Sequence, residues 1–228
     1  MRAIRAVCLD LDDTLWPVAP AIARAEQAMM AWLAEHCPAV ALRHDAASIR
    51  ALRAEVAAAH PQQAHDLTFL RRAALERVVT AAGYPAGRAD GAFAAFFAAR
   101  NEVELFADVR PALGRLGARF RLLALSNGNA DLGVIGLDRH FEFALSAREA
   151  GVAKPDARIF AQLLARAGLA PREVVYVGDD PRADVEGARR AGLAAVWVDR
   201  FGRDWPGECA PPEHRVRDLH ELAALLGA

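Results

Sequence analysis

The sequence predicts an α/β protein with a doubly wound parallel sheet and an α-helical domain inserted after the first strand. In the second half of the chain, short apolar runs alternate with helical patterns, which is typical of a parallel, Rossmann-like sheet. A similar run stands alone near the N-terminus, and a long helical segment separates it from the others. Three aspartates follow two of these runs, and ligands bind where the carboxyl ends of parallel strands meet.

Composition and charge exclude several classes of protein. The chain has 228 residues, of which 54% are hydrophobic and 25% charged, so extensive disorder is excluded. The net charge of −1 provides no electrostatic footprint for nucleic acid or an acidic membrane. The three cysteines are far apart without a C-x-x-C pair, which argues against a disulfide framework or a zinc site. No apolar run has signal or membrane-spanning length, so we expect a cytoplasmic protein.

The first strand is predicted over residues 3–9, and the chain from 17 to 103 is predicted to be almost entirely helical. Four helices are expected there, over about 17–36, over about 45–59, from the N-cap Asp66 to Gly83, and around Phe93, Phe96 and Phe97. We therefore divide the chain into an α/β core, residues 1–16 and 104–228, and a helical domain, residues 17–103.

From about residue 108, helices and strands alternate. Helices are predicted over 110–117, 129–136, 156–167, 182–191 and 218–226. Strands are predicted over 121–125, 142–145, 174–178 and 194–198. Residues 201–215 are rich in glycine, proline and charge, so we expect a loop there.

Asp10 and Asp12 stand at the end of the first strand with Leu11 between them. Alternate side chains of an extended chain share a face, so both carboxylates can face one substrate. One can attack phosphorus as a nucleophile, and the other can protonate the departing oxygen and later activate water. Thr14 can form a hydrogen bond from the following turn. Because close carboxylates need a positive partner, and Mg²⁺ suits carboxylates together with a phosphate, the pattern indicates phosphoryl chemistry.

A second polar stretch, Ser126-Asn127-Gly128-Asn129, follows the strand predicted over 121–125. A hydroxyl, an amide and a permissive glycine can surround a phosphate with side-chain and backbone donors. The same four residues also suit an ordinary turn. This stretch is a phosphate-binding candidate only in the company of the other motifs.

Lys154 precedes a predicted helix and is the only lysine of the chain. Its ammonium group adds a point charge for a phosphate near a helix N-terminus that is already positive. It can also keep the Asp10 carboxylate ionised. A solvated surface lysine is the alternative interpretation, but the single use of lysine among many arginines favours a need for a compact cation here.

The last motif begins where strand 174–178 ends, at Gly178-Asp179. Asp179 leaves the strand first and is therefore the predicted metal ligand. Asp180 is either a supporting acid near the metal or the N-cap of the next helix. Asp184, one turn further on, either orients Lys154 or a metal-bound water, or is an acid favoured by the helix dipole.

In this order, the motifs resemble those of the haloacid dehalogenase-like hydrolase superfamily. The matching residues are Asp10-x-Asp12-x-Thr14, Ser126-Asn127, Lys154-Pro155, and Gly178-Asp179 with Asp184. The helical insert is similar to the superfamily's α-helical cap domain. The resemblance implies an α/β hydrolase core, residues 1–16 and 104–228, with a cap formed by residues 17–103.

The resemblance also implies a role for each matching residue. Asp10 would be the aspartyl-phosphate nucleophile and Asp12 the general acid and base. Mg²⁺ would be held by the Asp10 and Asp179 carboxylates and by the backbone carbonyl of Asp12. Ser126 and Lys154 would hold the transferring phosphoryl group. The superfamily's dehalogenases lack an acid at the position of Asp12, because a halide leaves without a proton, so the implied reaction is Mg²⁺-dependent hydrolysis of a phosphomonoester.

The segments 9–16, 65–68 and 127–130 are further similar to bacterial flavin mononucleotide phosphatases. The expected substrate is a small phosphorylated metabolite, such as flavin mononucleotide, another nucleotide or a sugar phosphate. Trp16, Phe69 and Tyr84 either stack on its ring or fill the seam between cap and core. A haloacid dehalogenase and a phosphoacceptor module without turnover are the alternatives, and the protein is expected to be a monomer or a homodimer.

Overall fold

A computed structural model describes residues 4–228, so the first residue of the predicted strand 3–9 lies outside the described part of the chain. The chain forms two compact units. One consists of Met1–Pro17 together with Glu104–Ala228, and the other of Val18–Val103. Within the described residues, no helix combines the length and hydropathy that a membrane span requires.

The helical unit, all of whose residues are described, contains the α-helices α1 (Val18–His36), α2 (Pro38–Ala41), α3 (Ala46–Ala59), α4 (Leu67–Ala81) and α5 (Arg88–Arg100). Asp45 and Asp66 are the N-cap residues of α3 and α4, because the carboxylate of each accepts a backbone N–H from the first turn of its helix. Apolar faces of α1, α3, α4 and α5 meet in a buried cluster that includes Met29, Leu75 and Phe96. The one-turn helix α2 was not predicted, since Pro38 indicates the end of α1 as well as a new start.

The other unit is built, in its described part, on a six-stranded sheet in which every pair of neighbouring strands is parallel. The strands are β1 (Ala6–Leu9), β2 (Arg121–Ser126), β3 (Phe143–Ser146), β4 (Val174–Gly178), β5 (Ala194–Val198) and β6 (His214–Val216), in the order β3-β2-β1-β4-β5-β6. All residues of the central strands β1 and β4 are buried. The predicted doubly wound α/β class is confirmed.

The described residues of this unit also form the α-helices α6 (Val109–Gly117), α7 (Leu132–Ile135), α8 (Ala147–Ala150), α9 (Ala157–Ala167), α10 (Gly187–Arg190) and α11 (Leu219–Leu226). Helix α9 packs apolar side chains against the sheet, and its Phe160 meets the ring of Tyr176 edge-on, with centroids 5.3 Å apart. This contact positions a tyrosine of β4 beneath the carboxyl edge of the sheet.

Two predicted helices are wrong in extent. The helix expected over 129–136 is only the single turn α7, because the Asp131 carboxylate caps it and Gly136, with a φ of 76°, ends it. The helix expected over 182–191 starts as a π-helical segment, Pro181–Glu186, before α10. In that segment the amide of Val185 bonds to the carbonyl of Asp180, five residues earlier.

The loop predicted over 201–215 contains the start of a sixth strand, β6. Its three residues are too few and too polar to show an alternating pattern, and they become a strand by pairing with β5. Of the described residues in the predicted first strand, Ile4 and Arg5 lie outside β1, and Ser126 ends β2 rather than following it.

Candidate active site

The four predicted motifs meet at the carboxyl edge of the sheet. Since β1 lies between β2 and β4, the residues that follow these three strands become neighbours. They line a cavity of about 230 Å³. Its lining consists of Asp10, Asp12, Asp13, Ser126, Asn127, Gly128, Lys154, Asp179, Asp180, Ala183 and Asp184.

Lys154 is the centre of the buried hydrogen-bond network in this cavity. Its Nζ lies 2.5 Å from Asp10 Oδ1, 2.6 Å from Asp184 Oδ1, 2.8 Å from the hydroxyl of Tyr176 and 3.2 Å from the carbonyl of Leu125. Its three N–H groups therefore serve four acceptors, one of them through a shared hydrogen bond. Burial lowers the pKa of Lys154, but the Asp10 and Asp184 carboxylates outweigh this effect and raise its pKa above the ordinary value. The ammonium group therefore stays charged, and Lys154 is not a solvated surface lysine.

Three carboxylates surround this ammonium group. Oxygen atoms of Asp10, Asp179 and Asp184 all lie within 4.8 Å of one another. Burial raises the pKa of Asp10 well above its usual range, and nearby Asp184 adds to this effect while Lys154 opposes it. Burial and Asp184 likewise raise the pKa of Asp179, to about 7. The site thus holds more negative charge than Lys154 balances, and its hard oxygen donors fit a Mg²⁺ ion.

Gly178 allows the close approach of Asp184 to the end of β4. A Cβ atom at residue 178 would overlap the carboxylate of Asp184. That carboxylate accepts the backbone N–H of Asp180 on Oδ2, at 2.9 Å, as well as the Lys154 ammonium on Oδ1. This contact agrees with the predicted alternative in which Asp184 orients Lys154.

Asp180 takes the N-cap role that was one of its two predicted alternatives. Its Oδ1 accepts the backbone N–H groups of Arg182 and Ala183, at 2.8 and 2.6 Å.

Asn127 binds the backbone of Lys154 with both ends of its side-chain amide. Asn127 Oδ1 accepts the backbone N–H of Lys154 at 2.8 Å, and Asn127 Nδ2 donates to the backbone carbonyl of Lys154 at 3.0 Å. These contacts make Asn127 a positioning residue for Lys154, and its expected contact with phosphate stays a prediction.

Asp12 is held by Trp16, whose indole N–H donates to Asp12 Oδ1 at 2.8 Å. The Trp16 ring is fully buried. The turn between them passes through Asp13, which has a positive φ of 57° and whose N–H donates to the carbonyl of Trp16. The predicted alternatives for Trp16, ring stacking or seam filling, omit this hydrogen bond.

Thr14 does not make the predicted hydrogen bond with its hydroxyl group in the described part of the chain. Its hydroxyl is buried, and no residue in the described part of the chain forms a hydrogen bond with Thr14 Oγ1. The backbone carbonyl of Thr14 makes a contact instead, because Arg200 donates to it with Nε at 3.0 Å and Nη2 at 2.7 Å.

Ser126 is buried at the cavity, and its Oγ accepts the N–H of Gly128 at 2.9 Å. The other two aromatic candidates lie in the helical unit, where Phe69 meets His60 edge-on and the Tyr84 hydroxyl accepts the N–H of Ala39.

Two arginines of the segment after β5 support the site, and no pattern in the sequence predicts their role. Arg200 holds the Thr14 carbonyl and also binds both carboxylate oxygens of Asp108, at 2.8 and 2.9 Å. Arg203 Nη2 donates to Asp179 Oδ2 at 3.0 Å and to the Asp179 carbonyl at 3.1 Å. That carbonyl also accepts the indole N–H of Trp197 at 2.8 Å. In a loop rich in charge, nothing in the sequence distinguishes these arginines from solvated ones.

Comparison with known proteins agrees with this arrangement. A family model described as haloacid dehalogenase-like hydrolase matches residues 4–192. The chain is 33% identical over 199 residues to the 5-amino-6-(5-phospho-D-ribitylamino)uracil phosphatase YigB of Escherichia coli strain K12, a match that covers 86% of this chain and 83% of that protein. It is 41% identical over 160 residues to a phosphoserine phosphatase of Thermus thermophilus, covering 68% of this chain and 64% of that protein.

Among solved structures, a 2-haloacid dehalogenase from Pseudomonas syringae pv. Tomato DC3000 matches with a TM-score of 0.93. The two chains are 36% identical, and the match covers 98% of each. Relatives of this chain thus carry the names of phosphatases and of a dehalogenase.

Proposed function

This chain belongs to the haloacid dehalogenase-like hydrolase family, as its motifs predicted, and we propose that it is a Mg²⁺-dependent phosphomonoesterase that acts through an aspartyl-phosphate. One observation carries this proposal. The Asp12 carboxylate lines the same cavity as the buried Asp10–Lys154 pair, so a proton donor and a nucleophile share one site. The two relatives named phosphatases support the same reaction class.

In the first step, a carboxylate oxygen of Asp10 attacks phosphorus while its Oδ1 stays bonded to Lys154. The bond between phosphorus and the ester oxygen breaks, and the leaving alkoxide takes a proton from Asp12. In the second step, Asp12 takes a proton from water, which attacks the phosphorus of the aspartyl-phosphate and regenerates Asp10. The Lys154 ammonium and Ser126 bind the phosphoryl oxygens in both steps.

The residues at the site fit Mg²⁺, because the donor set consists of oxygen atoms and carries excess negative charge. The carboxylates of Asp10 and Asp179 and the carbonyl of Asp12 would hold the ion. When bound, Mg²⁺ balances the carboxylates and the phosphate oxygens so that Asp10 is ionised in the presence of an anionic substrate.

Dehalogenation is the second candidate, since the Pseudomonas syringae structure carries that name at 36% identity. The presence of Asp12 favours the phosphatase. A halide departs as a stable anion without a proton, whereas an alkoxide needs the acid that Asp12 provides.

For the substrate, we propose a phosphate ester at the end of a ribityl chain. Flavin mononucleotide, which the motif similarity indicates, and the substrate in the name of the Escherichia coli relative both have this group. We further propose that the enzyme acts in the cytoplasm on a small metabolite, as a monomer or homodimer, and that residues 17–103 serve as its cap domain.

The test is a set of phosphate-release assays with and without Mg²⁺, alongside halide release from a 2-haloacid in the absence of metal. The panel contains flavin mononucleotide, the uracil substrate named for the relative, phosphoserine, other nucleotides and sugar phosphates. We expect repeated turnover that a chelator abolishes, with the ribityl phosphates preferred. Metal-independent halide release without phosphatase activity would establish the dehalogenase, and a single phosphorylation event without turnover would establish the phosphoacceptor module.

Replacing Asp12 with asparagine should lower kcat/KM by about 10²- to 10⁴-fold for an alkyl phosphate, because the leaving alkoxide loses its proton donor. The loss should be much smaller for p-nitrophenyl phosphate, whose leaving group departs as a stable anion. Measuring kcat/KM for both esters isolates the first step. Equal losses for the two esters would remove Asp12 as the general acid.

Replacing Arg203 with glutamine should tighten Mg²⁺ binding by about threefold to tenfold, since a positive charge beside Asp179 disappears. The fluorescence of Trp197, whose indole bonds to the Asp179 carbonyl, and titration calorimetry both measure the Kd. Arg172→Gln is the matched control, because Arg172 is exposed in the turn before β4, at the opposite end of that strand. Weaker Mg²⁺ binding in Arg203→Gln would mean instead that Arg203 chiefly orients Asp179.

A further inference from the structure

Arg71, on α4 of the helical unit, is a buried cation that forms no hydrogen bond or ion pair with the described part of the chain. Only 6% of the residue is exposed. Its guanidinium group lies over the ring of Phe96, 3.6 Å from the centroid. Among the residues that the structure describes, none accepts a hydrogen bond from Arg71 or forms an ion pair with it. Arginine is almost never this buried unless it is paired, so the N–H groups of Arg71 are open to an acceptor in the adjoining cavity.

The guanidinium group borders a small cavity formed by α1, α3 and α4. The cavity has a volume of about 10 Å³. It is lined by Glu26, Met29, Ala46, Ile49, Arg50, Arg53, Arg71 and Ala74. Three guanidinium groups and one carboxylate therefore surround it, with a formal charge of +2.

The single carboxylate of this lining is already engaged. Glu26 pairs with Arg50 at the cavity rim, with 3.2 Å between the nitrogen and oxygen atoms. Arg53 is half-buried, and like Arg71 it has no hydrogen-bond partner in the part of the chain that the structure covers. Several N–H groups of Arg53 and Arg71 are thus available to one further acceptor.

The pKa of Arg71 reflects the same excess of positive over negative charge around the cavity. Burial lowers the pKa of Arg71 to about 9, and the positive charges of Arg53 and Arg100 add to this effect. Glu26 opposes it but does not balance it. The cation–π contact with Phe96 offsets only part of the cost of burying such a group.

We propose that this cavity binds a small inorganic anion of the size of chloride, which accepts hydrogen bonds from Arg53 and Arg71. A cavity of about 10 Å³ has room for one small particle, so we assign it a monatomic anion rather than a phosphate or carboxylate group. A neutral water molecule would satisfy N–H groups but leave the positive charge unbalanced. The bound anion connects α3 with α4 and thereby stabilises the helical unit.

Thermal unfolding of the full chain in sodium chloride and in sodium gluconate at equal ionic strength tests this site. Gluconate is too large for the cavity. We expect chloride to raise the Tm of the wild type by about 3 °C or more, with a hyperbolic dependence on concentration, because a ligand of the native state stabilises it by mass action. Crystals soaked in bromide should show an anomalous peak between Arg53 and Arg71.

Arg71→Met and Arg77→Met are the paired variants. Arg77 lies on the same helix but pairs with Glu55 at the surface, where both side chains are more than half exposed. The difference between chloride and gluconate should vanish in Arg71→Met and persist in Arg77→Met. Methionine suits a buried helix position, so Arg71→Met is expected to fold. A wild type that unfolds at the same temperature in both salts, or a crystal with only water in the cavity, would overturn the proposal.

Discussion

An Asp10→Asn variant should release phosphate from its substrate at least about 10⁴-fold more slowly than the wild type, a loss of the size seen when a catalytic nucleophile is removed. The amide has nearly the same shape as the carboxylate but is not a nucleophile towards phosphorus. Asn Oδ1 can still accept the hydrogen bond that Lys154 now donates to Asp10. We therefore expect the geometry of the cavity to survive.

The same variant should be at least as stable as the wild type at neutral pH. Burial raises the pKa of Asp10 in the folded state above its unfolded value of about 3.9. A carboxyl whose pKa is raised on folding opposes folding at every pH above its unfolded pKa, so a neutral amide removes that cost. The loss of attraction to Lys154 acts in the opposite direction, but the Asp184 carboxylate still pairs with the ammonium group.

Phosphate release and thermal unfolding of Asp10→Asn measure both expectations. Asp138→Asn provides the control, because this aspartate is exposed in a turn of the same unit and undergoes the same chemical change. Activity in Asp10→Asn comparable to that of Asp138→Asn would exclude Asp10 as the nucleophile. A collapse of the Tm together with the activity would instead show that Asp10 is required for folding.

A Lys154→Met variant should lose about 3–5 kcal/mol of unfolding free energy, the typical cost of breaking a buried ion pair by removing one partner. The Asp10 and Asp184 carboxylates would remain buried without their shared cation. Because the pKa of Lys154 is raised on folding, its stabilising effect is present below its unfolded pKa of about 10.4 and is lost as the pH rises through the higher folded value. The deficit should therefore extend over the whole neutral range. Activity should fall by about 10²- to 10³-fold or more, since a preorganised donor to the phosphoryl group is lost.

Urea unfolding of Lys154→Met measures this cost, and Tyr176→Phe is its reference. The tyrosine hydroxyl accepts one hydrogen bond from Lys154 and donates one to the Leu125 carbonyl or the Asp184 carboxylate, so its removal should cost about 1–2 kcal/mol. In a chain that also carries Asp184→Asn, the effect of Lys154→Met should be smaller, because one stranded carboxylate is absent. Equal stabilities for Lys154→Met and Tyr176→Phe would contradict a central role for this lysine, and the double variant keeps the test valid if the single variant is insoluble.

Local sequence patterns predicted most of the fold because they act over short distances. The apolar runs that became β2, β3, β4 and β5 are bounded by turn residues, and Asp66 and Gly83 mark the limits of a helix in any context. Where a tertiary contact decides the structure, these patterns did not suffice. β6 exists because it pairs with β5, and the first helical residues after β4 widen into a π-helical segment where Asp184 approaches Gly178 and Lys154.

The sequence by itself determined which residues reach the edge of the sheet, since strand ends and parallel topology place Asp10, Asp12, Ser126 and Asp179 there. Only the tertiary structure decided what each of them bonds to. Lys154 and Asp10 are 144 positions apart in the chain, yet Lys154 Nζ lies only 2.5 Å from Asp10 Oδ1. Arg203 reaches Asp179 from a segment whose sequence pattern indicates only a loop. Hydrogen bonds and charge pairs depend on distances of a few ångströms, and these distances arise only when separate parts of the chain pack together.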